Sequence, residues 1–130
     1  MARKFNQKAF KKRLDVAWSK VVRARDGKCL VCETRETLQS HHCFITKARS
    51  NFTRWNTTNG ITLCYVCHIC KLHGSSDKVF LDTYLSRLND LVPQETQDEI
   101  RILSNNTFKL NQANLEEKME ELIELENNTL

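Results

Sequence analysis

A chain of 130 residues, 40% hydrophobic and with a formal net charge of +4, has room for one domain whose modest core a metal clip would help to hold. It has no charge-flanked apolar run near its start and no long apolar stretch anywhere, which argues against a leader or a membrane span and sets the expectation of a soluble, cytoplasmic protein with no membrane partner. The charge is uneven. Residues 1–74 hold 15 Lys/Arg against 4 Asp/Glu, and residues 75–130 hold 5 against 12. The first part suits a polyanion such as nucleic acid and the second suits packing or partner contacts, although charge alone does not separate this from two solvated faces.

In chain order, the first element is a helix over Asn6 to Arg25. Phe10, Leu14, Trp18, Val21 and Val22 recur at three- and four-residue steps, and most of the lysines fall elsewhere. Asp26-Gly27 then turns the chain into Cys29-x-x-Cys32. Leu38 to Ile45 reads as a strand, Thr46 to Asn59 as a polar, basic loop pinned by Phe52 and Trp55, and Ile61 to Leu63 as a second short strand. Tyr65 to His73 reads as a helix with Gly74 placed to cap it. Beyond it, Val79, Leu81, Tyr84, Leu85 and Leu88 mark a helix that stops near Pro93, and Ile100 and Leu103 mark a shorter one. Asn114 with Glu117 resembles a capping box opening a last helix with Leu115, Met119, Leu122 and Ile123 on one side and glutamates on the other. That stripe is a candidate homodimer face, short for a coiled coil.

Six cysteines in a reducing compartment favour metal binding over disulfides. The pairs Cys29/Cys32 and Cys64/Cys67 are spaced to close one tetrahedral zinc site, which leaves no vacancy for chemistry. His41-His42 lies between the pairs, Asn59 stands five residues before Cys64, His68 follows Cys67 directly, and His73 comes five residues later. This leftover His–Asn–His set fits a second, catalytic metal, and the combination points to a nuclease. Cys43 and Cys70 stand outside the quartet and read as structural, Cys43 as a small buried hydrophobe.

Three segments carry a family resemblance: Arg25-Asp26-Gly27-Lys28-Cys29-Leu30-Val31-Cys32, Leu38-Gln39-Ser40-His41-His42, and Asn59-Gly60-Ile61-Thr62-Leu63-Cys64-Tyr65-Val66-Cys67-His68. Together they resemble the HNH endonucleases, especially small phage-type members with a four-cysteine zinc site. The motif-bearing likeness covers roughly residues 15–75. It implies an α+β fold: a zinc-containing ββα-metal module flanked by an N-terminal basic helix and C-terminal helices. The expected division is a nuclease domain over 1–75 and a helical, acidic appendage over 76–130. A phage origin would place the protein in the host cytoplasm.

By the same resemblance the activity is metal-dependent hydrolysis of DNA phosphodiesters. His42 would be the general base, suited by an ordinary pKa of about 6.5. Asn59 would tie down the loop and orient that base. Cys29, Cys32, Cys64 and Cys67 would hold structural Zn²⁺. His41, His68 and His73 would face a catalytic Mg²⁺, Mn²⁺ or other divalent cation. Neighbouring strand residues point to opposite faces, so using both His41 and His42 at one site implies a distorted strand end. His73 departs from the common His-x-x-x-His form. Five residues of α-helix turn about 500° and leave His73 about 140° away from His68, with Leu72 in the ligand position. Either the helix unwinds before Gly74, or the cation has His41, His68 and waters, and His73 touches phosphate. DNA contacts are expected from Lys47, Arg49, Arg54 and Lys71, and from Arg3, Lys4, Lys8, Lys11, Lys12 and Arg13. The alternative is a non-catalytic zinc module that binds nucleic acid through the same scaffold.

Overall fold

The computed structural model describes residues 4–129; Arg3 lies outside them. The fold is α+β, and among the described residues it has five α-helices, a two-stranded antiparallel sheet, and one π-helix that follows the second strand. Helix α1 (Gln7–Asp26) starts where the Asn6 side chain accepts the Ala9 N–H at 3.1 Å and stops at Gly27, whose φ of 69° is left-handed. Its buried face is Leu14, Trp18, Val21 and Val22, as the periodicity predicts.

Strand β1 (Leu38–His42) pairs with β2 (Gly60–Cys64) from Leu38↔Cys64 to His42↔Gly60. β1 is three residues shorter than expected. The Asn59 side-chain oxygen takes the N–H groups of Phe44 and Ile45, at 3.1 and 2.9 Å, and so draws the chain away from the ladder. The connection is also more ordered than a plain loop. Ser50 caps a one-turn helix α2 (Asn51–Arg54), and Asn56 caps a 3₁₀ turn over Thr57–Asn59. Trp55 is buried as expected, and its ring centroid and that of Phe52 lie 5.7 and 6.4 Å from Phe108.

Two hydrophobic clusters flank the sheet. One joins α1 and Trp55 to Leu115 and Leu122 of α5 (Gln112–Thr129). The other joins β2 and the buried cysteines to Phe80, Tyr84 and Leu88 of α3 (Lys78–Leu91). Both clusters therefore draw residues from each side of position 75. The buried stripe of α3 keeps two of the five marker residues: Tyr84 and Leu88 face the core together with Phe80, while Val79 is 76% exposed and Leu81 and Leu85 also face outward. Helix α4 (Gln94–Leu103) buries Ile100 together with Gln97, whose amide reaches the Val92 carbonyl just past the end of α3 at 3.0 Å. The last helix starts earlier than the Asn114–Glu117 pattern suggests, since Asn111 Oδ1 accepts the Asn114 N–H at 2.8 Å. No described helix is long and apolar enough to cross a membrane.

Gly60 fixes how closely α1 lies on the sheet. A Cβ there would come within 2.5 Å of Trp18 Cζ2 and 2.8 Å of Val22 Cγ2, both buried side chains without room to retreat. Gly60→Ala is therefore expected to cost about 1–3 kcal/mol by overpacking. The check is urea unfolding of the zinc-loaded protein: the midpoint falls and the slope stays the same.

Candidate functional site

Cys29, Cys32, Cys64 and Cys67 come together with all four sulfurs within 4.8 Å of one another. The Cys32–Cys64 separation of 3.5 Å is close to the roughly 3.8 Å that tetrahedral bonds of about 2.3 Å to zinc require. The first knuckle is fixed by Glu33 N–H to Cys29 O at 3.1 Å and by Leu30 N–H to Thr62 O at 3.0 Å. In the second, the Cys67 N–H points at Cys64 Sγ over 3.4 Å. Burial of the Cys29 thiol disfavours its anion, but N–H groups of Cys32, Cys64 and Val31 outweigh this and bring its pKa down to about 7. Burial and the neighbouring sulfurs push Cys67 up instead. A first thiolate thus forms readily, and a cation favours ionisation of the rest. The cluster can bind a metal such as zinc.

His41, His68 and His73 form a second convergence, with ligand nitrogens within 4.8 Å of one another. Their ring centroids stand 5.0, 5.2 and 4.8 Å apart for His41–His68, His41–His73 and His68–His73. The five-residue step from His68 to His73 is accommodated because Val66–His73 is a π-helix, not the expected α-helix. Its i→i+5 hydrogen bonds bring residues five apart onto one face, a geometry found mostly as short bulges at functional sites. Gly74 ends it, but with φ at −107° and not as a left-handed cap. Its role is close approach, because a Cβ would lie 2.7 Å from Ile69 O and 3.0 Å from Cys70 O.

These imidazoles are suited to a cation. Burial first, and then the neighbouring histidines, lower the His41 pKa to about 3. Burial followed by His73 lowers His68 as well. Both rings are therefore neutral at neutral pH, the form that ligates. Gln39 Oε1 lies 2.8 Å from His68 Nδ1. An amide oxygen only accepts, which assigns the proton to Nδ1 and leaves the Nε2 lone pair for a metal. Gln39 is not one of the residues that the motifs single out. Its signal in the sequence is alternation, since it lies two positions before His41 and so shares its face of β1.

His42 takes the opposite face. Both histidines stay in regular register, His41↔Ile61 and His42↔Gly60, so the distorted strand end expected for them is absent. The His42 ring stacks on Trp18 at 4.0 Å between centroids and 7° between planes. Its Nε2 lies 2.9 Å from the Arg54 carbonyl, so Nε2 donates and Nδ1 keeps the lone pair. Burial lowers the His42 pKa, partly offset by the Arg54 carbonyl and the Asp15 charge.

Asn59 is fully buried and fully satisfied. Its Nδ2 donates to Ile45 O at 2.8 Å and Thr53 O at 3.3 Å, and its oxygen takes the two N–H groups of Phe44 and Ile45. It touches neither metal cluster, and by holding Thr53 it holds the peptide next to the carbonyl that orients His42.

The basic residues divide. Arg54 is not a free DNA contact: its guanidinium pairs with both Asp15 oxygens at 2.9 and 2.7 Å, and the Trp55 indole N–H donates to the same carboxylate at 2.9 Å. Burial opposes the Asp15 charge, but these partners overcome it and lower its pKa. Lys47 and Arg49 are exposed in the loop, with Lys47 3.9 Å from Asp15. Lys71 is exposed on the π-helix, 5.7 Å from the Phe80 ring centre. Cys43 is packed against the α3 cluster, where burial pushes its thiol up to about 12; Cys70 is exposed. Comparison of the chain with protein-family models, curated proteins and solved structures returns no match.

Elemental analysis is expected to find one tightly held zinc per chain, lost in Cys64→Ser together with a fall in melting temperature. Gln39→Ala is expected to weaken a second cation, read by Mn²⁺ or Ni²⁺ titration, by about 10–100-fold while leaving the cysteine-bound zinc in place.

Proposed function

We propose that the protein is a metal-dependent DNA endonuclease of the HNH kind, with structural zinc at the four cysteines and a catalytic divalent cation at His41, His68 and His73. The observation that carries this reading is the pairing of an open three-histidine cluster with an adjacent histidine whose only free ring nitrogen is basic. Three imidazoles leave coordination positions vacant, as a catalytic site needs and a four-thiol site does not offer.

The cation, when bound there, would stabilise negative charge on the scissile phosphate and the departing 3′-oxygen. The protein's own residues supply the rest. His42, kept neutral by burial, takes a proton from water at Nδ1 while Nε2 remains bonded to Arg54 O. The water oxygen bonds to phosphorus, the P–O3′ bond breaks, and the leaving oxygen is protonated from solvent. Trp18 fixes the plane of the His42 ring, Asn59 holds the peptide that precedes Arg54 through the Thr53 carbonyl, and Asp15 holds the Arg54 side chain. His41 and His42 reach the end of β1 from its two faces, so a phosphodiester lying across that end meets both. Exposed Lys47, Arg49 and Lys71 supply phosphate contacts around it.

The test is a plasmid cleavage assay with Mg²⁺, Mn²⁺ or Ni²⁺ and with EDTA. Wild type is expected to nick or linearise the plasmid with at least one cation, and His42→Ala to cut about 100- to 10,000-fold more slowly while retaining its zinc. No cutting under any condition rejects the endonuclease and leaves a non-catalytic zinc module that binds nucleic acid, and equal cutting by the variant rejects His42 as the base.

A further inference from the structure

We propose that the cavity between the first turns of α1 and the loop after β1 is the groove that receives the backbone of the substrate strand next to the scissile bond. That the polyanion is DNA rests on the endonuclease reading; the groove itself rests on observations of its own. The cavity has a volume of about 270 Å³ and brings Lys8, Lys11, Lys12, Lys47 and Arg54 around a single carboxylate, Asp15.

That carboxylate is already committed. Its two oxygens are held by the Arg54 guanidinium and the Trp55 indole, with Lys47 at the edge. Lys8, Lys11 and Lys12 have no ion pair with any described residue. They stand at i, i+3 and i+4, so they share one face of α1 and repel one another. α1 contains only two acidic residues, Asp15 and Asp26, and both are engaged with arginines. A merely solvated face intersperses carboxylates among its cations, whereas this one concentrates charge beside a concavity, which raises the local concentration of polyanions.

The groove also adjoins the base. Arg54 lines it with its side chain and holds His42 with its carbonyl. Lys47 and Asp15 lie close enough to His42 to act on its charge in opposite directions. The three-histidine cluster is on the other face of β1, so a strand running from groove to cluster passes His42 at the strand end. Lysines on two elements, each a point charge without fixed hydrogen-bond geometry, suit successive backbone phosphates. Capture of one small phosphate ion would favour a bidentate arginine, and Arg54 is occupied.

The experiment measures binding of a fluorescent DNA duplex to zinc-loaded protein across a salt series, with no catalytic cation added. Three proteins are compared: wild type, Lys8→Gln/Lys11→Gln/Lys12→Gln, and a control of equal charge change at exposed remote sites, Lys28→Gln/Lys78→Gln/Lys109→Gln. The groove variant is expected to flatten the dependence of log K on log salt by about 2–3, near 0.9 for each phosphate no longer neutralised. The control is expected to keep the wild-type slope. The proposal is overturned if the groove variant keeps the wild-type slope, if both variants flatten it equally, if wild type binds no duplex, or if inorganic phosphate at micromolar concentration displaces the duplex. Failure of the endonuclease reading has a different signature: no cleavage with any cation while the slope difference between the variants persists.

Discussion

Four sulfurs drawn from two segments more than thirty residues apart in the chain set the position of nearly everything else. Bringing Cys29/Cys32 against Cys64/Cys67 closes a loop that contains β1, both central histidines and Asn59. The entropy of closing that loop is opposed mainly by the cluster and a short sheet, and a bound metal supplies folding energy directly. β2 ends in Cys64 and is buried along its whole length, so placing the cysteine places the strand. The ladder from Leu38↔Cys64 then sets His41 opposite Ile61. On the other side of the clamp, Cys67 is followed at once by His68 on the π-helix. A clamp ligand and a histidine of the open cluster are thus neighbours in the chain, and the open cluster has no geometry apart from the closed one.

How much of this the sequence reveals depends on how local the determining interaction is. The bounds of α1 are legible because a cap and a left-handed glycine mark them within one turn. The cysteine quartet is legible because its spacing has few other uses. The convergence of His73 is not, because a periodicity reading assumes 3.6 residues per turn and a π-helix breaks that assumption. Its one local sign is Gly74, which reads equally well as an ordinary cap. The buried face of α3 is ambiguous for a different reason. Val79, Leu81 and Leu85 are as apolar as Phe80, Tyr84 and Leu88, and only the neighbouring cysteine cluster selects between the two stripes. Arg54 fails for a third reason: its partner Asp15 lies 39 residues away, and no local pattern links them.

Adjacent histidines of identical chemistry are made different by what each face of β1 meets. His41 looks onto two more imidazoles and Tyr84, an environment in which a proton is repelled and a divalent cation is the natural counterpart. His42 looks onto an indole face and a carbonyl, which fix its plane and its tautomer but add no competing ligand. Strand alternation alone produces this difference in surroundings, without the distortion that placing both residues at one site requires. Under the endonuclease reading, a substrate that meets both histidines is confined to the end of the strand, where the two faces meet.

The helix that precedes the motifs is therefore part of the site. Trp18 supports His42, and Asp15 holds Arg54, whose carbonyl fixes the His42 ring. Arg25 donates to Thr57 O at 2.8 Å and Gly60 O at 2.7 Å, tying the far end of the helix to the start of β2. α5 packs along the same helix through Leu115 and Leu122, so the acidic C-terminal segment bears on His42 through the helix it supports. Loosening α5 would be felt first as lost order at Trp18 and Asp15, and only through them at His42. The cysteine cluster, held by β2 and α3 in the separate hydrophobic cluster, would be disturbed last.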